Sequence, residues 1–278
     1  MKKLAIAYRI YPGISKSPAI HSDSKYKLSE LCAASFSQSL VGIDYKMWVI
    51  LDNCPDEYKA LFHKYFTNIE FIETNAIGNG LTFKKQIEVL LEQDYSENIF
   101  FAEDDYFYLP DCMNKILDFL QSDHKPDFVT PYDHLDYYTM NIHKHKKEEI
   151  TFNKHKWRTE NGACLTFLST KKVLAQTQKV FLTYAKKNYD TSLWIALTKQ
   201  RAFNPLMYIS PSLQGMSWFK TYVKLWLYTP YFPFIPKYKL YTPVPSLSTH
   251  LEKHFLAPNI DWQAEFAKIE IKDNPSEA

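Results

Sequence analysis

Apolar and polar positions follow two alternating periods along the first part of the chain. Short apolar runs of strand length are followed by stretches in which apolar residues recur every three or four positions, the spacing of a helix face. This pattern predicts strands at 4–10, 46–51, 69–73 and 98–102, and helices at 25–40, 56–66 and 81–93. Such alternation is typical of an α/β fold with a Rossmann-like, mostly parallel central sheet and helices on both faces.

Beyond Pro110 the periodicity is weaker. We expect helices at 111–121, 170–187 and 190–199, and strands at 127–130 and 163–168. Residues 216–245 are rich in Tyr, Phe, Trp and Pro and show little periodicity. No internal repeat and no Gly/Ser linker interrupts the chain, which favours one composite domain.

Composition and charge exclude several classes of protein. Of the 278 residues, 46% are hydrophobic and 16% aromatic, enough for a sizeable core. The formal net charge is +2 and no Lys/Arg block occurs, so nothing indicates a nucleic-acid partner. The four cysteines lie far apart without a C-x-x-C pair, which argues against a zinc cluster or a disulfide framework. We therefore expect a cytoplasmic protein with reduced thiols.

Two segments bear on membranes. The apolar run after Lys3 is broken by Arg9, too early for a signal peptide, so we interpret it as the first strand. Residues 218–241 interleave aromatic side chains with lysines, which leaves open a peripheral contact with the inner face of a membrane. Three prolines between 230 and 236 exclude one continuous amphipathic helix there. An aromatic lid or a plain core is the favoured interpretation.

Three consecutive carboxylates, Glu103, Asp104 and Asp105, directly follow the fourth predicted strand. Like charges this close repel each other unless something neutralises them. A divalent cation would do so, because Mg²⁺ and Mn²⁺ bind one or two carboxylates and complete their shell with water and phosphate oxygens. The alternative is an acidic helix start that only compensates the helix dipole. Asp52 also ends a predicted strand, where open parallel sheets bind their ligands.

Several segments, in chain order over about residues 4–200, resemble glycosyltransferases of the GT-A fold, especially family 2. Asn98–Asp111 resembles the strand and DxD motif of these enzymes in a Glu-Asp-Asp variant, with Pro110 seven residues after Glu103. The further matching segments are 8–12, 52–56, 78–80, 161–172 and 189–194. No single motif is diagnostic, and the ordered set carries the resemblance.

The resemblance implies a metal ion and a catalytic base. Asp105 would bind Mn²⁺ or Mg²⁺, with His250 as a further ligand and His254 in reserve; an ordinary histidine without a ligand role is the alternative. Asp190, at a predicted helix start, would take the proton of the attacking hydroxyl, unless it is an ordinary N-cap. Tyr189 departs from the family pattern, which has Glu before the base.

The resemblance also implies the residues that contact substrates. Those implied in donor or nucleotide binding are Tyr8, Tyr11, Asp52, Asn79, Lys85, Glu103 and Asp104. Lys85, or Lys84 beside it, would replace an Arg that is usual in the family. The candidates for the acceptor pocket are Asp133, His134, Asp136 and Trp194. A Tyr-rich connecting loop is the alternative for the segment that begins at Pro131.

The implied activity is an inverting transfer of a sugar from a nucleotide-diphosphate sugar, with UDP favoured, to a glycan or lipid-linked glycan, as in the biosynthesis of surface polysaccharides. The nucleotide-sugar half would span about 1–110 and the acceptor half about 111–215, with a C-terminal extension at 216–278 packing on the same domain. Two alternatives remain. A sugar-phosphate nucleotidyltransferase usually has a Gly-rich basic loop after the first strand, of which residues 11–16 are a poor version. The other is a non-catalytic carbohydrate-binding protein.

Overall fold

The computed structural model of the chain describes residues 2–15, 17–209 and 216–269. Strands β1–β11 span Lys2–Ile10, Ile43–Asp52, Ile69–Thr74, Asn98–Glu103, Tyr106–Tyr108, Phe128–Val129, Glu149–Phe152, His155–Glu160, Phe167–Thr170, Leu240–Val244 and Ser248–His250. Helices α1–α10 span Lys25–Ser39, Glu57–Tyr65, Asn79–Glu92, Cys112–Leu120, Asp136–Thr139, Lys171–Phe181, Asp190–Thr198, Leu206–Ile209, Met216–Tyr228 and Trp262–Phe266.

Nine strands form one mixed sheet in the order β3-β2-β1-β4-β9-β6-β10-β8-β7. β1 pairs in parallel with both β2 and β4, and β2 pairs in parallel with β3. The predicted α/β class and the parallel first half are therefore confirmed, and each predicted element of that half lies within three residues of its observed bounds. β1 is buried from Leu4 to Ile10 because apolar cores cover both faces of the sheet.

The second half differs from the predictions in its details. The strand predicted at 163–168 corresponds to β9, which begins later than predicted, at Phe167. β9 pairs antiparallel with β4 and β6. α6 ends at Phe181, and a short 3-10 turn at Tyr184–Lys186 follows where helix was predicted to 187. The weakly periodic segment after 216 contains helix α9 and strand β10. β10 lies between β6 and β8, so this segment completes the main sheet and does more than pack on it.

A two-stranded antiparallel ribbon joins β5 to β11 outside the main sheet. Its register sets His250 opposite Tyr106, directly after the acidic turn at 103–105. The ribbon thus brings the C-terminal part of the chain to the end of β4. In the part of the chain that the structure describes, no helix is long and apolar enough to cross a membrane.

Helix α7 is apolar on every side and fully buried from Leu193 to Leu197. Trp194 packs edge-on against Phe128 and Phe167, with ring centroids 5.2 and 5.1 Å away. The prediction that Trp194 contacts an acceptor is wrong, because the side chain is part of the core under the sheet.

Candidate active site

A cavity of about 440 Å³ opens at the carboxyl ends of β1, β2 and β4. Its walls are the end of β1 with the following loop, the first turn of α1, the end of β2, the start of α3 and the acidic turn. Parallel strands direct their carboxyl ends to one edge of the sheet, so polar residues far apart in sequence meet there. Tyr11, Asn79 and all three acids of the turn line this cavity, and their roles in binding a donor or a metal stay predictions.

Glu103 is held by the adjacent strand. Arg9, opposite it in the β1–β4 register, forms an ion pair with Glu103 Oε1, and the Thr166 hydroxyl donates to Oε2 over 2.9 Å. Arg9 also donates to the Asn79 carbonyl over 2.9 Å. Burial raises the pKa of Glu103, and the Arg9 charge opposes that rise. Arg9 therefore ties the acidic turn to the first residue of α3.

Asp104 is held by the first helix. Lys25 Nζ lies 2.8 Å from Asp104 Oδ2, and the backbone N–H of Tyr11 donates to the same oxygen over 3.1 Å. Burial acts to lower the pKa of Lys25, but the charges of Asp104 and Asp105 outweigh it and raise the pKa. Lys25 is consequently a fixed positive charge in the cavity wall.

Asp105 faces the C-terminal ribbon. Its Oδ2 lies 3.0 Å from Nε2 of His250. Burial opposes ionisation of Asp105, but the charge of His250 outweighs it and lowers the carboxyl pKa to about 2. The same pairing, working against burial, raises the pKa of His250 to about 9. Without a cation the two side chains form an ion pair at neutral pH.

The Asp105–His250 pair fits a divalent cation. Asp105 Oδ1 is buried and has no hydrogen-bond partner among the residues that the structure describes. A carboxylate and an imidazole are donors that Mn²⁺ accepts. No group of three or more His, Cys, Asp or Glu able to hold a metal occurs within the described ranges. An ion at this pair would therefore take its other ligands from water and phosphate oxygens.

Asp52 braces the loop between β3 and α3. Its Oδ1 accepts from the Thr74 hydroxyl and the Ile77 N–H, both over 2.8 Å, and its Oδ2 accepts from the Gly78 N–H over 2.9 Å. Gly78 has a φ of 83°, a conformation that side chains disfavour. A role of Asp52 in donor binding stays a prediction: the carboxylate borders the cavity but is 2% exposed and engaged with this loop.

Asp52→Ala should lower the free energy of unfolding by about 3 kcal/mol, because three hydrogen-bond donors lose a charged acceptor. Urea denaturation followed by circular dichroism measures the change. Asp56→Ala, at a 93% exposed carboxylate four residues on, is the control and should leave the midpoint unchanged. Equal midpoints for the two variants would show that Asp52 does not brace the loop.

A groove of about 580 Å³ adjoins the cavity and shares Gly78 and Asn79 with it. The groove also contains Asp190, and Lys224 of α9 forms part of its wall. Asn79 Nδ2 donates to the Tyr184 hydroxyl over 3.1 Å, which links the start of α3 to the opposite wall. Asn79 therefore stands at the boundary between the two spaces.

Asp190 is the first residue of α7, and the N-cap position is taken by Tyr189. Its Oδ1 accepts from the Thr191 N–H over 2.6 Å. Asp190 is therefore not an ordinary N-cap, which was the alternative interpretation of this residue. The side chain of an N-cap accepts from the N–H two or three residues further on, whereas Asp190 accepts from the next residue. Burial raises the pKa of Asp190 above the ordinary Asp value.

Cys164 relates Asp190 to the acidic turn. The pKa of this thiol is raised by burial first and then by the negative charges of Asp190, Glu103 and Asp105. Cys164 therefore interacts electrostatically with both Asp190 and the acidic turn.

Two of the acceptor candidates interact electrostatically with residues of the candidate site. Burial and then the charge of Asp190 raise the pKa of Asp136. The pKa of His134 is lowered to about 3 by burial and then by the charges of His143 and His250. An acceptor role for His134 and Asp136 stays a prediction.

Asp133 serves the fold instead. Its carboxylate accepts from Arg158 Nη2 over 2.6 Å and from the Tyr138 hydroxyl over 2.5 Å, and it is 1% exposed. A fully paired, buried carboxylate has no hydrogen-bonding capacity directed at a ligand. The prediction of an acceptor contact at Asp133 is therefore corrected.

Several solved structures are similar to this chain at low identity. The galactosyltransferase LgtC, solved with donor and acceptor sugar analogues, is 12% identical with a TM-score of 0.47, and the match covers 99% of this chain and 98% of that one. Staphylococcus aureus TarS 1–349 with UDP-GlcNAc is 14% identical with a TM-score of 0.38, over 70% of this chain and 52% of that one.

A synthase is similar to the same degree. The 4-diphosphocytidyl-2C-methyl-D-erythritol synthase of Anaerococcus prevotii is 13% identical with a TM-score of 0.42, over 72% of this chain and 83% of that one. No protein-family model and no curated protein matches the sequence. At this distance the likenesses carry no argument about activity, which must come from the site.

Two predicted donor residues lie elsewhere. Tyr8 is 1% exposed and packs against Phe36 and Phe62, with centroids 6.0 and 5.0 Å away, so it is core. Lys85 extends from the surface of α3 to Glu88 over 3.2 Å. Both predictions are corrected. The cations of the cavity are Arg9 and Lys25, which the sequence interpretation missed.

A signal for both cations exists in the sequence. Arg9 stands in a buried strand, where a charge requires a partner. Lys25 begins α1, where the helix dipole disfavours a positive charge unless a carboxylate lies nearby. Each anomaly indicates an acidic partner, and the acidic turn is the cluster that provides it.

Arg9→Ala should lower the free energy of unfolding by about 3 kcal/mol, because it leaves Glu103 buried beside no cation. Chemical denaturation at neutral pH measures this loss. Lys268→Ala, which removes a cation from the exposed Lys268–Glu265 pair, is the matched control and should change little. If Arg9→Ala unfolds at the wild-type midpoint, the ion pair does not hold the turn.

Proposed function

We propose that the protein is a glycosyltransferase that moves a sugar from a nucleotide-diphosphate sugar to an acceptor hydroxyl. One observation carries the proposal: the cavity with the acidic turn and the groove with Asp190 meet at Gly78 and Asn79. A donor whose nucleotide fills the cavity would present its sugar at that boundary. An acceptor in the groove would then have its hydroxyl next to a carboxylate base.

On the donor side, Asp105 and His250 would hold Mn²⁺ or Mg²⁺. When bound, the ion would neutralise the negative charge that the departing diphosphate develops. Glu103 and Asp104, fixed by Arg9 and Lys25, would accept hydrogen bonds from ribose or sugar hydroxyls. We favour a UDP-sugar as the donor.

On the acceptor side, Asp190 would act as the general base. The proton of the acceptor hydroxyl passes to the Asp190 carboxylate while the oxygen forms a bond to the anomeric carbon. The bond between that carbon and the β-phosphate oxygen breaks, and its electron pair leaves with the nucleoside diphosphate. Direct displacement of this kind inverts the anomeric configuration. The raised pKa of Asp190 suits a base, because a stronger base accepts the proton more readily.

A screen of nucleotide sugars tests the proposal without knowledge of the acceptor. Each sugar is incubated with the full chain and Mn²⁺, and release of the nucleoside diphosphate is measured with and without EDTA. We expect one base and one sugar to give slow, metal-dependent hydrolysis. Absence of hydrolysis and of calorimetric binding for every nucleotide sugar would reject the proposal.

A sugar-phosphate nucleotidyltransferase is the second candidate. The observation in its favour is that residues 11–15, the loop after β1, form a wall of the cavity beside the cations Arg9 and Lys25. Such an enzyme would release pyrophosphate from a nucleoside triphosphate and a sugar phosphate. Pyrophosphate release, with no hydrolysis of any nucleotide sugar, would select this activity. Binding of UDP without any turnover would instead indicate a carbohydrate-binding protein.

A further inference from the structure

Residues 203–234 carry more than half of the large apolar side chains that the described surface exposes. We call this set the apolar patch; its members are Phe203, Leu206, Val223, Trp226, Leu227, Tyr231 and Phe234. Phe203 and Trp226 both pack on the buried ring of Phe232, with centroids 5.4 and 4.9 Å away. Their shared support makes these exposed side chains neighbours on the surface. Exposed apolar side chains gathered on one segment, two of them adjacent, indicate an interaction surface.

Helix α9 has apolar side chains on two faces. Tyr222 and Leu225 are buried against the domain, whereas Val223 and Leu227, one turn apart, face outward and are 47% and 67% exposed. The inward face is sufficient to attach the helix to the fold. Folding therefore does not explain why the outward face is apolar, whereas contact with a partner outside the chain does.

Charge identifies the partner. No Asp or Glu occurs in the sequence between Asp190 and Glu252, while six Lys and Arg do. Lys220 on the outward face of α9 and Lys237 after the apolar patch are both exposed. Apolar side chains among cations fit the interface of a bilayer with anionic lipids, where the apolar groups enter the acyl boundary and the cations meet the headgroups.

The apolar patch lies beside the groove. Lys224 of α9 forms part of the groove wall, and its Nζ lies 3.6 Å from the ring centroid of Tyr189. We propose that the apolar patch docks on an anionic lipid bilayer, so that a lipid-linked acceptor enters the groove from the membrane surface. The acceptor part of this inference rests on the proposed function; the docking part does not.

Co-sedimentation with vesicles tests the docking. The full chain should bind vesicles containing phosphatidylglycerol, bind pure phosphatidylcholine poorly, and lose binding as salt rises. Leu227→Glu combined with Phe234→Glu should weaken binding at least about tenfold, because two apolar contacts become negative charges. Val41→Glu is the matched control: Val41 is a 72% exposed apolar residue outside the apolar patch, and its variant should bind as the wild type does. Phe234→Ser alone, at a 90% exposed ring, serves if the double variant misfolds.

Three outcomes would overturn the docking: no binding of anionic vesicles by the wild type, equal binding of both vesicle types, or full binding by the double variant. A dimer that the double variant loses, with no vesicle binding, would assign the apolar patch to a second copy of the chain. Calorimetry on the same samples, with every nucleotide sugar of the screen, separates the two proposals. Donor binding without vesicle binding rejects the docking alone, and vesicle binding without donor binding rejects the proposed function.

Discussion

Asp105→Ala is expected to abolish the Mn²⁺-dependent part of donor binding and to lower sugar transfer about a thousandfold. The variant removes the carboxylate that pairs with His250, together with the buried Oδ1 that has no described partner. In the variant, His250 would be the one residue of the proposed pair left to bind a metal ion. Isothermal calorimetry with UDP, with and without Mn²⁺, measures the binding, and nucleoside diphosphate release measures the transfer.

The control for Asp105→Ala is Asp94→Ala, at an exposed aspartate before β4. It changes the net charge by the same amount and should bind UDP as the wild type does. Asp105→Asn keeps the shape of the side chain, and its affinity for UDP in the presence of Mn²⁺ should lie between those of Asp105→Ala and Asp94→Ala. If Asp105→Ala binds UDP with wild-type affinity in the presence of Mn²⁺, the cation does not lie at this turn.

Asp190→Asn should keep the donor affinity of the wild type and lose about a hundredfold to ten-thousandfold in transfer, the range of a general base. The amide retains the size of the carboxylate but accepts no proton. Because burial raises the pKa of Asp190, the wild-type rate should fall on acidification at a pH above the ordinary Asp value. Transfer rates across a pH series, with donor affinity measured in parallel, check both statements.

Asp94→Asn is the matched control for this amide substitution and should leave both the rate and the pH profile unchanged. Near-normal transfer by Asp190→Asn would remove Asp190 from the mechanism. A parallel loss of donor affinity would mean that the residue positions the donor, since α3 and α7 both border the groove.

The parallel half of the fold was predictable because its signals are local. Each strand is a short apolar run and each helix shows an amphipathic spacing, so 98–102 and 81–93 needed no knowledge of distant partners. The same sequence also located the acidic turn at a strand end. The parallel topology alone then brings the acidic turn, Asn79 and Tyr11 together at one cavity.

The partners of the acids were not predictable, because they depend on pairings far apart in sequence. His250 reaches Asp105 across 145 residues through the β5–β11 ribbon, and only the family resemblance suggested that the two residues meet. The prediction that Tyr8 contacts the donor, which left Arg9 unconsidered, was wrong for a related reason. Both faces of β1 are buried, so alternation of apolar and polar residues does not show which side chain points to the ligand edge.

The antiparallel pairing of β9 with β4 has a consequence for how the protein can be divided. β4 is an apolar strand, and its Phe101 stacks on Phe167 of β9 with centroids 4.5 Å apart. A fragment ending near residue 110 would keep β4 but expose its outer edge, with unpaired backbone groups beside phenylalanine rings. Bare edges of this kind recruit strands from other chains. This fragment is thus not an autonomous folding unit, and we expect it to aggregate when expressed alone.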